Sequence, residues 1–269
     1  MSLMFSHVLT ILLLLVCNGR ATTHIAPFSP KRGFVADGCM GPTCTDVELL
    51  NPGWYYDYNP QDRFANEDNS GGYPALFTPM HWCISNATLP AAVNHSFLLG
   101  YNEPNNEHNC NKSPREVAQS WAGIMSRWSP PSTQLISPAT AGDGIPWLDA
   151  FFGNCSELYG SQGCKVFYVA VHDYSCKPQE TMDYLKKVYH RYQKPVWLTE
   201  FSCGDKYANK PLEDHLEYMK AVLPLLDAAP YVFRYAWMSI KSPNRGLILN
   251  NGPNQTLSPV GQYYSQKRN

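Results

Sequence analysis

Two glutamates stand where they could do acid–base chemistry. Glu103 closes the run Phe97-Leu98-Leu99-Gly100-Tyr101-Asn102-Glu103, and Glu200 closes Val196-Trp197-Leu198-Thr199-Glu200. Apolar runs of this length and kind read as buried parallel strands, so each carboxyl group is expected at a strand's carboxyl end. Pro104 stops the first run, because it has no N–H to donate to a ladder and its ring fixes φ. Two carboxylates that face one another across a cleft meet the need of glycosidic bond cleavage: one acid to protonate the leaving oxygen, and one base or nucleophile.

The elements that must carry these groups alternate in the manner of repeated β-α units. Strands are expected over residues 31–36, 54–58, 75–82, 97–103, 134–139, 165–174, 195–201 and 231–238. Helical stretches fall near 45–51, 147–158, 179–192 and 212–228, the last kinked at Pro224 if continuous, with a short helix near Val260. Ser113-Pro114-Arg115-Glu116 spells a capping box with proline at the first helical position. The helix it opens carries Val117, Trp121, Ile124, Met125 and Trp128 on one face, and Pro130-Pro131 closes it. Eight strands count out an α/β fold of the (β/α)8 TIM-barrel type in one domain, with Glu103 on the fourth strand and Glu200 on the seventh, both on the catalytic face.

Composition narrows the partners. The chain has 269 residues, of which 16% are charged, and a formal net charge of −1. Nucleic acid and anionic membrane both call for a basic patch, so neither fits. Aromatics make up 13% of the chain, which suits flat apolar surfaces of the kind sugar rings stack on. Residues 1–21 read as a signal peptide: the apolar stretch around Leu9 to Val16 is too short for a bilayer span and is followed by small and polar residues up to Ala21. The catalytic domain is then 22–269, secreted to the extracellular space or cell wall.

Cleavage would remove Cys17 and leave eight cysteines: Cys39, Cys44, Cys83, Cys110, Cys155, Cys164, Cys176 and Cys203. An even number in an exported chain suggests disulfides, with Cys155–Cys164 the simplest pairing and Cys39–Cys44 a second option. No CxxC or paired-histidine spacing favours metal. Sequons at Asn86, Asn94, Asn111, Asn154 and Asn254 agree with a secretory route, Asn111 being followed by Pro114 just after its serine. No heptad pattern points to assembly, so a monomer is expected.

The set Lys31-Arg32-Gly33, Trp54-Tyr55-Tyr56, Leu99-Gly100-Tyr101-Asn102-Glu103-Pro104, His172-Asp173-Tyr174 and Lys194-Pro195-Val196-Trp197-Leu198-Thr199-Glu200-Phe201 resembles the glycosyl hydrolase catalytic core of glycoside hydrolase family 128, a family of endo-β-1,3-glucanases, over about residues 31–240. The resemblance implies a retaining hydrolase of β-1,3-glucan that needs neither metal nor organic cofactor, with Glu103 as acid/base and Glu200 as nucleophile. It implies that Asn102 bonds the sugar 2-hydroxyl and that His172 and Tyr174 flank Glu200. Trp54, Tyr56, Trp82, Tyr101 and Trp237 are the candidates for stacking on glucose. Arg32 is expected to pair with a carboxylate beneath the site or to cap the barrel floor. A neighbouring negative charge is expected to raise the pKa of the acid. The competing readings are a catalytically silent glycan-binding protein on the same barrel and a hydrolase of β-1,4- or β-1,6-linked glycan.

Overall fold

In a computed structural model, residues 29–38, 44–66, 72–84, 95–128, 132–204, 206, 210–242, 244–249 and 254–266 are described. The expected signal peptide, Cys39, and the sequons at Asn86 and Asn94 lie outside them. The elements run β1 (Arg32–Val35), α1 (Asp46–Leu50), β2 (Trp54–Tyr56), β3 (Phe97–Leu98), α2 (Pro114–Arg127), β4 (Gln134–Ile136), α3 (Ile145–Tyr159), β5 (Val166–Asp173), α4 (Pro178–Tyr192), β6 (Val196–Phe201), α5 (Leu212–Ala228), β7 (Val232–Trp237) and α6 (Pro259–Ser265). The strands form one seven-stranded parallel sheet in the order β2-β1-β7-β6-β5-β4-β3.

The third of the eight expected strands, residues 75–82, is not a strand. Its first half pairs with β2, through Tyr55 N to Leu76 O and Thr78 N to Tyr55 O, and its second half pairs with Leu99, through His81 N to Leu99 O and Leu99 N to Pro79 O. Only isolated parallel bridges result, Tyr55 with Phe77 and Met80 with Leu99. Pro79, at the changeover, has no N–H to continue a ladder.

Side chains alternate between the two faces of the sheet, as a period of two demands. Val35, Trp54, Tyr56, Leu99, Ile136, Ala170, Trp197 and Ala236 pack together on the inner face. Phe34, Tyr55, Val169, Val171, Val196, Leu198, Tyr235 and Trp237 face the helices. On the inner face the Arg234 guanidinium lies 4.8 Å from the Phe97 ring centre and 4.9 Å from that of Trp197, within cation–π range.

Helix α2 shows why local sequence sufficed for it. The Ser113 hydroxyl accepts from Glu116 N while the Glu116 carboxylate accepts from Ser113 N at 2.9 Å, closing the capping box. Val117, Trp121, Ile124 and Trp128 are buried and Met125 partly so, which is the expected face. Helix α5 runs unbroken through Pro224.

Arg32 pairs with a carboxylate at the end of the sheet opposite the site. It bonds Asp227 at 3.2 Å and donates to Tyr264 O and the Tyr235 hydroxyl, joining β1 to α5 and α6. Replacing the α2 cap, Ser113→Ala, is expected to lower the unfolding free energy by about 1 kcal/mol, checked by urea denaturation with an unchanged m-value.

Candidate active site

Both glutamates reach the inner face through a break in the alternation. Leu198 and Phe201 both face the helices although they are three residues apart, so an extra residue is accommodated between them. The pairing of β5 with β6 shifts at the same place, Val171 opposing Leu198 and His172 opposing Glu200. A bulge of this kind re-aims a side chain, and here it turns Glu200 inward. Leu98 and Tyr101, also three apart, both pack on the α2 side. Between them Gly100 lies against Ser137 and Pro138, where a Cβ would come within 2.8 Å of their backbone. Strand β3 ends at Leu98, so Glu103 sits five residues past a short strand and not on its last position, as the sequence had led us to expect.

Glu103 is held there by its neighbours. Its φ is +43°, a region costly for a residue with a side chain. Its N–H donates to Ala139 O at 2.8 Å and its carbonyl accepts from Asn106 N at 3.0 Å. The Asn105 amide pairs with both backbone groups of Ala141, at 2.8 and 3.0 Å, fixing the loop to the end of β4.

The two carboxyl groups and His172 converge. His172 Nδ1 donates to Glu103 Oε1 at 2.8 Å and stands 3.3 Å from Glu200 Oε2. One oxygen of each glutamate and one imidazole nitrogen all lie within 4.8 Å of one another. The second Glu103 oxygen accepts from Asn106 Nδ2 at 2.7 Å and Asn109 Nδ2 at 2.5 Å. Glu200 accepts from Tyr58 at 2.8 Å, from Tyr56 at 3.4 Å, and from Tyr174 by a short bond. Burial and the Glu200 charge push all three tyrosine hydroxyls well above their ordinary pKa, so they remain donors.

The electrostatics differ from the expectation of a raised acid. Burial favours a neutral Glu103, but the His172 hydrogen bond, the His172 charge and the two asparagine amides outweigh it and hold its pKa below the ordinary value. Burial likewise favours neutral His172, yet the Glu200 charge and the bond and charge of Glu103 raise its pKa. The resting proton of the cluster therefore sits on the imidazole. A pair of carboxylates and an imidazole are also donors that a divalent metal accepts, and among the described residues no other group of three converges so closely.

A cleft of about 670 Å³ opens over the cluster, lined by Tyr58, Trp82, Asn102, Glu103, Asn109, Tyr174, Glu200 and Arg245 among others. Trp82, which lines it, is 43% exposed. The other stacking candidates are corrected by their burial. Trp54 lies on the inner face stacked on Tyr56 and edge-on to Trp197, and its indole N–H donates to Lys31 O. Trp237 points to the helices, against Phe201 and Tyr264, and Tyr101 packs on Trp121 with its hydroxyl on Ser120. None of these three has a face to give a sugar. Tyr56 reaches the site by its hydroxyl, not its ring.

Tyr58, Asn106 and Asn109 touch the carboxylates and were not picked out from the sequence. Tyr58 is presented from a turn with φ of +64°, anchored by buried Asp57, which accepts from the Asn59 and Arg63 backbones and from the Arg63 side chain. The density of asparagines after Glu103 was the available signal for the other two.

The family model described as the glycosyl hydrolase catalytic core matches residues 39–264. The chain belongs to this family. It is 29% identical over 181 residues to alkali-sensitive linkage protein 1 of Schizosaccharomyces pombe, a match covering 62% of this chain and 32% of that protein, so the chain spans about a third of the length of this relative. The fold is similar to the crystal structure of an endo-β-1,3-glucanase of GH128 subgroup II from Sorangium cellulosum, with 27% identity, coverage of 89% of this chain and 100% of that one, and a TM-score of 0.72. It is also similar to a curdlan-specific exo-β-1,3-glucanase of subgroup III from Blastomyces gilchristii, at 25% identity, 89% and 99% coverage and a TM-score of 0.65.

Of the sequons on described residues, Asn111 and Asn254 are exposed, whereas the Asn154 amide within α3 donates to Ala150 O. Disulfides join Cys83 to Cys110, Cys155 to Cys164 and Cys176 to Cys203, and Cys44 is disulfide-bonded too.

The cluster sets a pH dependence of stability. His172, raised in the fold, contributes fully below pH 6.5 and loses its contribution as the pH rises through its folded pKa. Glu103, lowered in the fold, contributes above pH 4.5 and loses its contribution as the pH falls through its folded pKa. The melting-temperature gap between wild type and His172→Asn is therefore expected to be widest near pH 6 and to narrow as the pH climbs to 9. A gap that stayed constant across that range by scanning fluorimetry would contradict the assignment.

Proposed function

We propose that this chain is a secreted, retaining glycoside hydrolase that cleaves β-1,3-glucan in endo fashion, with Glu103 as acid/base and Glu200 as nucleophile. The observation that carries the reading is the approach of a Glu103 oxygen and a Glu200 oxygen to within 4.8 Å. Direct attack by one carboxylate needs about 5 Å between the pair, whereas an inverting enzyme leaves roughly 6.5 to 9.5 Å for a water. Similarity to the Sorangium and Blastomyces glucanases supports the linkage, and the former supports endo action. Residues 22–269 would form the catalytic domain, a (β/α)8 barrel in which residues 75–82 take the place of the third strand, and residues 1–21 the signal peptide.

The proton follows from the geometry. Transfer across the 2.8 Å bond from His172 Nδ1 leaves Glu103 protonated, ready to give its proton to the leaving oxygen while a Glu200 oxygen attacks the anomeric carbon. Esterification of Glu200 removes its charge from the cluster. Glu103, now ionised, takes a proton from water, which attacks the face the leaving group vacated, breaks the bond to Glu200 and releases the sugar with retention. Tyr58 and Tyr174 hold the unused lone pairs of Glu200 and fix its rotamer. Asn102, whose Oδ1 is buried without a partner, is the residue for the 2-hydroxyl, and Trp82 supplies the stacking face. The secretory route is supported by the disulfides and the leader-like N-terminal sequence.

Release of reducing sugar from laminarin, with none from β-1,4- or β-1,6-linked oligosaccharides, is the expected result. Binding without release, unchanged in Glu200→Gln, would instead mark a glycan-binding protein. On an activated substrate, azide is expected to rescue Glu200→Ala as the α-glycosyl azide and Glu103→Ala as the β-glycosyl azide; the reverse pattern would exchange the roles. Tyr58→Phe removes one hydrogen bond to a charged group and is expected to lower kcat/KM about 10-fold.

A further inference from the structure

Two of the three disulfides described in full stand beside the two carboxylates, one to each. Cys83 directly follows Trp82, whose ring lines the cleft, and Cys110 directly follows Asn109, whose amide donates to Glu103. The Cys83–Cys110 bond thus ties the segment that pairs with Leu99 to the loop after Glu103. Within that loop Lys112 N donates to Pro104 O at 2.8 Å and Asn109 N to Asn106 O at 3.1 Å, while its start is pinned to the segment after β4 by Asn105.

On the other side, Cys176 lies two residues after Tyr174 and Cys203 three after Glu200. Ser175 and Cys203 form an antiparallel bridge, and Gly204 N donates to Tyr174 O at 3.3 Å. Here the chain has left the parallel ladder of β5 and β6, and Cys176 adopts a φ of +57°. The cross-link adds a covalent tie to that bridge, directly beside the segment that carries Tyr174 over the Glu200 carboxylate. The third bond, Cys155–Cys164, is set apart: it joins α3 to the residue two before β5, at the end of that strand opposite His172.

Resting on the hydrolase reading above, we propose that Cys83–Cys110 and Cys176–Cys203 are positioning cross-links for the reaction, the first holding the amide donors of Glu103 and the Trp82 face, the second holding Tyr174 on Glu200. Each acts on one carboxylate and leaves the other as it was. Cys155–Cys164 serves stability alone, and so supplies an internal control.

The experiment opens each bond separately by paired Cys→Ala substitution, with folding checked by circular dichroism, and records the pH profile of kcat/KM on laminarin. Opening Cys176–Cys203 takes a donor from the Glu200 carboxylate and is expected to move the acidic limb up by about one pH unit, leaving the alkaline limb in place. Opening Cys83–Cys110 takes donors from Glu103 and is expected to move the alkaline limb up by a similar amount and to raise KM several-fold as Trp82 loses its place. Opening Cys155–Cys164 is expected to lower Tm and to move neither limb. Where Cys176→Ala/Cys203→Ala fails to fold, Gly204→Ala replaces it: a Cβ there would come within 2.7 Å of the Tyr174 Cβ, and the same acidic-limb shift is expected. Where Cys83→Ala/Cys110→Ala fails, Asn109→Ala tests the donor at the far end of that brace.

A readout free of turnover separates the two proposals. His172 touches both carboxylates, so its imidazole titration, followed by NMR, is expected to shift in the first two opened variants and to stay at the wild-type value in the third. Wild type inactive on laminarin with this NMR pattern intact would overturn the substrate and keep the braces. Limbs and imidazole titration that respond alike to all three openings, or to none, would overturn the braces.

Discussion

The site depends on one imidazole placed between two carboxylates. Glu103 and Glu200 are both buried, and two unscreened negative charges within 4.8 Å in a medium of low effective dielectric would drive one of them to protonate. His172, itself fully buried, carries the compensating charge at 2.8 and 3.3 Å. The remaining lone pairs are met by asparagine amides on one glutamate and tyrosine hydroxyls on the other. These groups come from the ends of β2, β3, β5 and β6, so the sheet order and the site specify each other.

Regular alternation could not have delivered this. A strict period of two would carry Phe201 to the inner face along with Trp197, and would place Glu200 against the helices. The extra residue between Leu198 and Phe201 reverses the parity for Glu200, and the close passage at Gly100 does the same for the segment leading to Glu103. Both runs that looked like simple strands in sequence are strands with a deliberate slip before the carboxylate. The slip explains why β3 is only two residues long while Glu103 still arrives at the cleft.

Much of the frame was legible because it is written in local chemistry. The Ser113 to Glu116 capping box, the apolar stripe of α2 and the long β-branched run of β5 are decided within a few residues of themselves, and their observed bounds fall within two residues of those expected. Residues 75–82 were misread because apolar content speaks for a strand while Pro79 and the choice of pairing partner are decided by neighbours far away in sequence. The aromatic candidates divided on the same ground. Trp82, Trp54 and Trp237 are one residue type in three environments, and only the face and depth of the sheet tell the exposed ring from the buried ones. Tyr58, Asn106 and Asn109 sit in loops, where no periodicity marks which side chain turns toward a carboxylate.

The choice of histidine as the bridging cation has a chemical reason. The inner face holds another cation, Arg234, kept among the rings of Trp54, Phe97 and Trp197, where burial lowers its pKa to about 10. A guanidinium of that kind between Glu103 and Glu200 would satisfy both charges and hold both carboxylates ionised at every working pH. Neither could then act as an acid. An imidazole satisfies the same charges in the resting state, and on the proposed hydrolase reading it is a titratable group that can pass its proton to Glu103 over a 2.8 Å bond. The arginine is therefore held by aromatic faces and the histidine by acids, and that separation lets one buried cluster be stable at rest and still yield a proton.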